Sequence, residues 1–246
     1  NPAAQLKFAQ GLELHRKGDL ARAGELYRQA LALQPQHFDS LHLLAILAAQ
    51  AGKPGEAIPL FDRALKINPN DAVAHFNRGN ALQEARQHGA ADESYRRALA
   101  LRPDYPEAHF NRARALSDLG RPEDAVESYD RAIALSPSDS SNFVGRGHAY
   151  LVQGNADASI HDLTEAIRLQ PASAVAFNNR ALAYRRKGDN AAALADYTSA
   201  IALNPVYALA YANRGRLQES LGRKDEAIRD LSESLRLDPS QVSVRD

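Results

Sequence analysis

The chain has 246 residues, with 30 lysines and arginines against 30 aspartates and glutamates, and this balance gives no reason to expect nucleic acid or an acidic membrane surface as a partner. It has no cysteine, which excludes a disulfide framework, a thiol nucleophile and a thiolate metal site. No apolar run approaches the roughly 18 residues that a membrane-spanning helix needs.

Seven prolines, Pro35, Pro69, Pro103, Pro137, Pro171, Pro205 and Pro239, recur at an unbroken spacing of 34. They divide the chain without insertion into repeats 4–37, 38–71, 72–105, 106–139, 140–173, 174–207 and 208–241. A constant period of this size means one small unit stacked many times, read here as a single solenoid domain over 1–246. Numbering each repeat from 1, the packing places are 4, 7, 8 and 11 and again 20, 24, 27 and 28, mostly apolar or small except at position 7. Each set has the one-face spacing of a helix, so each repeat is two amphipathic helices. The turn between them carries Gly18, Gly52, Gly120, Gly154, Gly188 or Gly222, and Pro54 and Pro122 follow as first-turn prolines. Only small residues occur at positions 8 and 20, where the two helices must approach closely.

In chain order, the repeats depart from this pattern locally. The first has Lys7 and Gln10 at apolar places, which suits an end with nothing stacked beyond it. The second places Pro59 inside its second helix, which predicts a kink or a late start. The third has Arg86 in place of the turn glycine, with Gly89 displaced, which predicts a reshaped turn. The third to seventh carry Arg78, Arg112, Arg146, Arg180 and Arg214 at position 7. Their stems are expected to pack between helices while the guanidinium reaches Asp162, Asp196 or Asp230 in the last three repeats and Glu93 or Glu127 in the third and fourth. The seventh softens its packing with Gln218 and Ser234, and the five residues after it are too few for a covering helix. Either the natural protein continues, or that end docks on another chain as in a homodimer through a terminal repeat. Asn1 at the start points to processing or a fragment, so a soluble protein is expected in either the cytoplasm or the periplasm.

The small residues at 8, 20 and 27, the aromatic or leucine at 24 (Tyr27, Phe61, Tyr95, Tyr129, Leu163, Tyr197, Leu231) and the proline at 32 resemble the tetratricopeptide repeat. The resemblance spans seven repeats and implies an all-α, right-handed superhelical solenoid of helix-turn-helix units. Proteins with this repeat bind extended peptides or partner helices in a concave groove lined by positions 2, 5, 6, 9, 12 and 13 of the first helix. Carried over, those positions give Phe8, Leu12, His42, Leu43 and Ile46 in the first two repeats. The third and fourth give Phe76, Asn77, Asn80, Phe110, Asn111 and Arg114, and the last three His148, Asn178, Asn179, Arg185, Arg186, Asn213 and Arg216.

Position 6 is asparagine four times, at Asn77, Asn111, Asn179 and Asn213. A row of amides offers donors and acceptors to a peptide backbone whatever its sequence. The row resembles the asparagine ladder of the O-GlcNAc transferase repeat domain, although Ala9, Leu43 and Gly145 interrupt it. Capture of a terminal carboxylate, as in chaperone-tail-binding relatives, is not expected, because Phe76, Ser141 and Gly145 occupy three of its five places. Arg185, Arg186 and Arg216 favour an acidic stretch in the ligand.

No phosphate loop, HExxH pair or nucleophile elbow is present, and the histidines lack metal-ligand spacing, so neither catalysis, cofactor nor metal is expected. His75 and His109 sit at position 4, a packing place. The reading that follows is a non-catalytic protein-interaction scaffold of bacterial type, with Phe76 and Phe110 as apolar anchors. The alternative is the substrate-recruiting arm of a larger O-GlcNAc-transferase-like glycosyltransferase, which the sequence of the early repeats also resembles.

Overall fold

A computed structural model describes residues 1–240, so the segment after the seventh repeat lies outside the described residues. The residues that are described form fourteen α-helices, two per repeat, with the same boundaries in each repeat to within a residue or two. They fall into two compact blocks. The N-terminal block, Asn1–Arg121, contains α1 (Pro2–Arg16), α2 (Leu20–Leu33), α3 (Phe38–Gln50), α4 (Pro54–Ile67), α5 (Ala72–Glu84), α6 (His88–Leu101) and α7 (Pro106–Asp118). The C-terminal block, from Pro122, contains α8 (Pro122–Leu135), α9 (Ser140–Val152), α10 (Ala156–Leu169), α11 (Ala174–Lys187), α12 (Asn190–Leu203), α13 (Ala208–Ser220) and α14 (Lys224–Leu237).

Local chemistry explains the constant boundaries. The first helices of several repeats are capped by a side-chain oxygen that accepts a hydrogen bond from an otherwise unpaired N–H, as at Asp71, Asp139 and Ser173. Second helices end at Gln34, Asn68, Arg102, Gln170, Asn204 and Asp238, all with φ between −125° and −145° and ψ between 86° and 95°, outside the helical region. Each of these residues precedes a repeat proline, whose ring excludes the helical conformation from its neighbour. The proline ladder is thus a series of helix terminators.

The intra-repeat turn needs a left-handed residue, and six glycines supply it with φ between 68° and 86°. Arg86 adopts φ 57° in the third repeat. The turn there keeps the common shape and forces an arginine into it, so the expected reshaping does not occur. The expected late start of α4 does not occur either. It begins at Pro54, like its counterparts in register, and runs through an exposed Pro59.

The small residues at position 8 lie under the large side chain at position 24. A Cβ added at Gly79 would stand 2.5 Å from the Tyr95 ring, and one at Gly147 2.8 Å from Leu163 Cγ. Tyr27, Phe61, Tyr95, Leu163 and Tyr197 are fully buried in these contacts.

The arginines at position 7 join successive repeats. Arg146 holds Asp162 of its own second helix through two bonds of 2.7 and 2.8 Å and reaches Asp130 of the preceding one at 2.6 Å. Arg180 repeats the arrangement with Asp196 and Thr164, and Arg214 with Asp230 and Thr198. The aromatic rings of Phe177 and Tyr184 flank Arg180 at 5.5 and 5.8 Å, so its stem and charge are both packed. Arg78 instead takes Asp62 at 2.7 Å and Ser94 at 2.6 Å, and Arg112 takes Asp92 at 2.7 Å. Glu93 is not the partner of Arg78, because it is held by Arg96 and Arg97 on its own helix.

Candidate functional site

Within each block the first helices of successive repeats approach one another directly, α3 to α5 to α7 and α9 to α11 to α13. Their facing side chains are the positions read from the sequence as a binding face. In the N-terminal block these side chains form a hydrogen-bonded row. Asn77 Nδ2 donates to His42 Nε2 at 3.2 Å, and Asn111 Nδ2 donates to Asn80 Oδ1 at 2.9 Å. The Tyr95 hydroxyl also donates to Asn80 Oδ1, at 2.8 Å. Burial pushes the Tyr95 pKa well above the ordinary phenol value, so this hydroxyl stays a donor. With its oxygen engaged twice, the Asn80 amide is held in one orientation.

Asn80, Asn111 and Arg114 help line an open cleft of about 610 Å3. Sequence reasoning missed the rest of the lining, Gln83, Glu84, Arg86, His88 and Asp118 at the helix ends and the turn. Gln83 donates to Asp118 at 2.5 Å and accepts from His88 at 3.2 Å, so that carboxylate is already engaged. Arg86 and Arg114 are exposed. The signal that could have found this part of the lining is the non-glycine residue at a turn position, which aims a long side chain where other repeats have none.

The expected apolar anchors are only partly available. Phe76 is half-buried, with its ring centroid 4.7 Å from that of Tyr105 and 6.0 Å from that of Tyr95. Phe110 is half-buried, with the Arg114 guanidinium 5.9 Å from its ring. His75 and His109, read as packing residues, each donate from Nε2 to the carbonyl of the preceding repeat proline, at 2.9 Å.

The C-terminal block uses its asparagines differently. Asn178 is fully buried and donates to Asn179 at 3.3 Å, while Asn213, nearly buried, donates to Asn178 Oδ1 at 3.1 Å. Asn178 therefore faces the interior and ties α11 to α13. Asn179 is half-buried at the edge of this pair. The gap at Gly145 has a steric cause, since any Cβ there would run into the Tyr129 ring. Among the arginines, Arg186 donates to the Leu151 carbonyl. Arg185 is exposed, and its charge opposes the burial that pushes the Tyr197 hydroxyl up to about 12. Arg216 is half-buried on the same helix as Asn213.

Among the described residues no three histidine, aspartate or glutamate side chains are grouped to hold a metal ion, and no helix is long and apolar enough to cross a membrane. Paired helices in a 34-residue register, glycine under tyrosine, and a face of first helices bearing oriented amides define a helical-repeat protein. The chain belongs to the tetratricopeptide repeat family, whose pattern matches residues 8–72, 76–140, 144–198 and 178–242.

Solved structures of similar fold include a tetratricopeptide repeat protein from Parabacteroides merdae, at 22% identity and a TM-score of 0.76, with 97% of this chain and 94% of that one covered. PilW, a type IV pilus biogenesis factor, matches at 22% identity and a TM-score of 0.74, covering 85% of this chain and 96% of that one. YrrB, described as a tetratricopeptide protein with an unusual peptide-binding site, matches at 21% identity and a TM-score of 0.66, over 76% of this chain and 96% of that one. At these identities the likeness is one of fold.

Proposed function

We propose that this chain is a non-catalytic interaction scaffold that docks an extended or helical peptide segment on the faces of its first helices. The observation that carries this reading is the Asn80 amide, whose orientation is set by Tyr95 and Asn111 and whose N–H donors border an open cleft. Donors of fixed orientation suit the carbonyls of a peptide backbone, and Arg114 and Arg86 beside them suit acidic side chains of the same segment. In the C-terminal block the acidic preference rests on Arg185 and Arg216, since Arg186 is engaged with a backbone carbonyl and Asn178 serves as internal support. The peptide-binding site ascribed to YrrB makes such a role familiar for this fold. Association of two copies through a terminal repeat is the second part of the reading.

The test is affinity enrichment of partners by the purified chain beside an Asn77→Ala/Asn111→Ala/Asn179→Ala variant and an Arg114→Ala variant. The triple variant should lose partners while its melting temperature stays within a few degrees of the parent. The Arg114 variant should lose those with acidic segments. Enrichment of the same proteins by all three would overturn the assignment to this face.

A further inference from the structure

Resting on the peptide docking proposed above, we infer that Arg86 is the residue that selects a single acidic side chain in the docked segment, and that its strained backbone is retained for that contact. Six of the seven repeats place glycine at the turn between their helices, and all six glycines adopt positive φ. The third repeat places an arginine there, at φ 57°, where an L side chain crowds its own backbone. The exchange does not serve packing. A Cβ added at any of the six turn glycines would meet no atom within 4 Å, so this position is surrounded by open space and a side chain has nothing to fill. Backbone strain of this kind persists where the surrounding structure over-determines it, and it concentrates at functional sites.

Arg86 is exposed and borders the cleft together with Asn80, Asn111 and Arg114. The other arginines nearby are satisfied, since Arg78, Arg96, Arg97 and Arg112 each hold a carboxylate. Arg86 and Arg114 have no carboxylate within ion-pairing distance among the described residues. Of the two carboxylates in the lining, Asp118 accepts a hydrogen bond from Gln83 and lies 3.6 Å from His88 Nδ1, which leaves Glu84. Two guanidiniums are thus opposed by Glu84 alone. The surplus suits one carboxylate from a ligand, which a guanidinium holds through a planar two-point grip. Glu84 sets the limit, because its charge repels a run of acidic residues. The segment that fits carries an isolated glutamate or aspartate, flanked by uncharged residues whose backbone meets Asn80 and Asn111.

An array of immobilised random-sequence octapeptides, probed with the labelled full chain and with Arg86 variants, tests this. The parent should retain peptides bearing a single glutamate or aspartate about tenfold better than their glutamine or asparagine counterparts, as for one hydrogen bond to a charged group. Peptides with a run of acids should show no such gain. Arg86→Gly should still retain peptides but lose the preference, with a melting temperature at or above the parent's. Arg86→Asn, which tolerates the left-handed conformation without the charge, should behave like Arg86→Gly. Arg86→Lys, which keeps the charge but not the fork, should retain part of the preference. An Arg86→Gly chain that keeps the parent's preference, or a parent that retains peptides without regard to a single acid, overturns the inference and leaves peptide docking standing. Loss of all peptides by Arg86→Gly with a lowered melting temperature would make Arg86 a support of the turn and overturns the inference as well. A parent that retains no peptide overturns both the inference and the docking.

Discussion

The two blocks spend the same residues in opposite ways. In the N-terminal block, Asn80 and Asn111 border an open cleft and the arginines at position 7 take single bonds to Asp62 and Asp92. In the C-terminal block, Asn178 is buried, and Arg146, Arg180 and Arg214 each grip a buried aspartate with two bonds. One repeat position therefore does not have one role. A side chain becomes structural when the neighbouring repeat covers it and supplies a partner, and stays available when the neighbour leaves it at an open cleft.

Substitutions that separate the blocks should differ most at the ion pairs. Asp162 is 2% exposed, so Asp162→Ala leaves a packed guanidinium with Asp130 as its remaining carboxylate and should cost about 3 kcal/mol in urea unfolding. Asp62, with 43% of its side chain exposed, should cost only about 0–1 kcal/mol when replaced by alanine. Equal losses would break the contrast between the blocks. Next in size, Asn178→Ala removes a buried amide that bonds two others and should lower stability by about 1–3 kcal/mol, measured the same way. Arg86→Gly should act in the other direction and raise stability by about 1 kcal/mol, because only glycine enters the left-handed region without a steric cost. A loss on that substitution would mean that the Arg86 side chain holds the turn.

The smallest effect concerns pH. Burial of His42, against Phe61 and in contact with Asn77, holds its pKa below the ordinary histidine value, even though Asp71 and Asp39 push it up. As pH falls through about 6.5 the unfolded chain takes up a proton that the folded chain refuses, so stability should be full above that value and decline below it. The urea midpoint should drop between about pH 8 and pH 5, and His42→Gln should reduce that slope to the part left by His148, whose pKa burial also lowers. The same protonation removes the acceptor of the Asn77 amide, so loss of partner affinity should accompany it in the N-terminal block.

Helix pairing, turn glycines and proline terminators were all legible in the sequence, because each depends on residues within one repeat. The partners of Arg146, Arg180 and Arg214 were legible for the same reason, since the aspartate lies sixteen residues on in the same repeat. What spans repeats was harder to read. The Arg78–Asp62 pair reaches back into the preceding repeat, and the inward turn of Asn178 depends on Asn213 of the next. A helical wheel shows the direction of a side chain but not what a neighbour places over it. The turn at Arg86 misled because a rare residue suggested a changed shape, whereas packing on both sides holds the shape and strains the residue. The cleft wall of Gln83, His88 and Asp118 escaped notice because it joins the end of one helix to the start of another, outside either apolar stripe.

The arginine links also give the C-terminal block a mechanical grain. Arg214 grips Asp230 in its own helix pair with two bonds and Thr198 in the preceding pair with one. Under tension, α13 and α14 should leave as a pair with the arginine still in their grasp, as the links to Thr198 and Asn178 and the packing of Leu217 give way. Stretched from its last helix, the block should yield in steps of whole repeats.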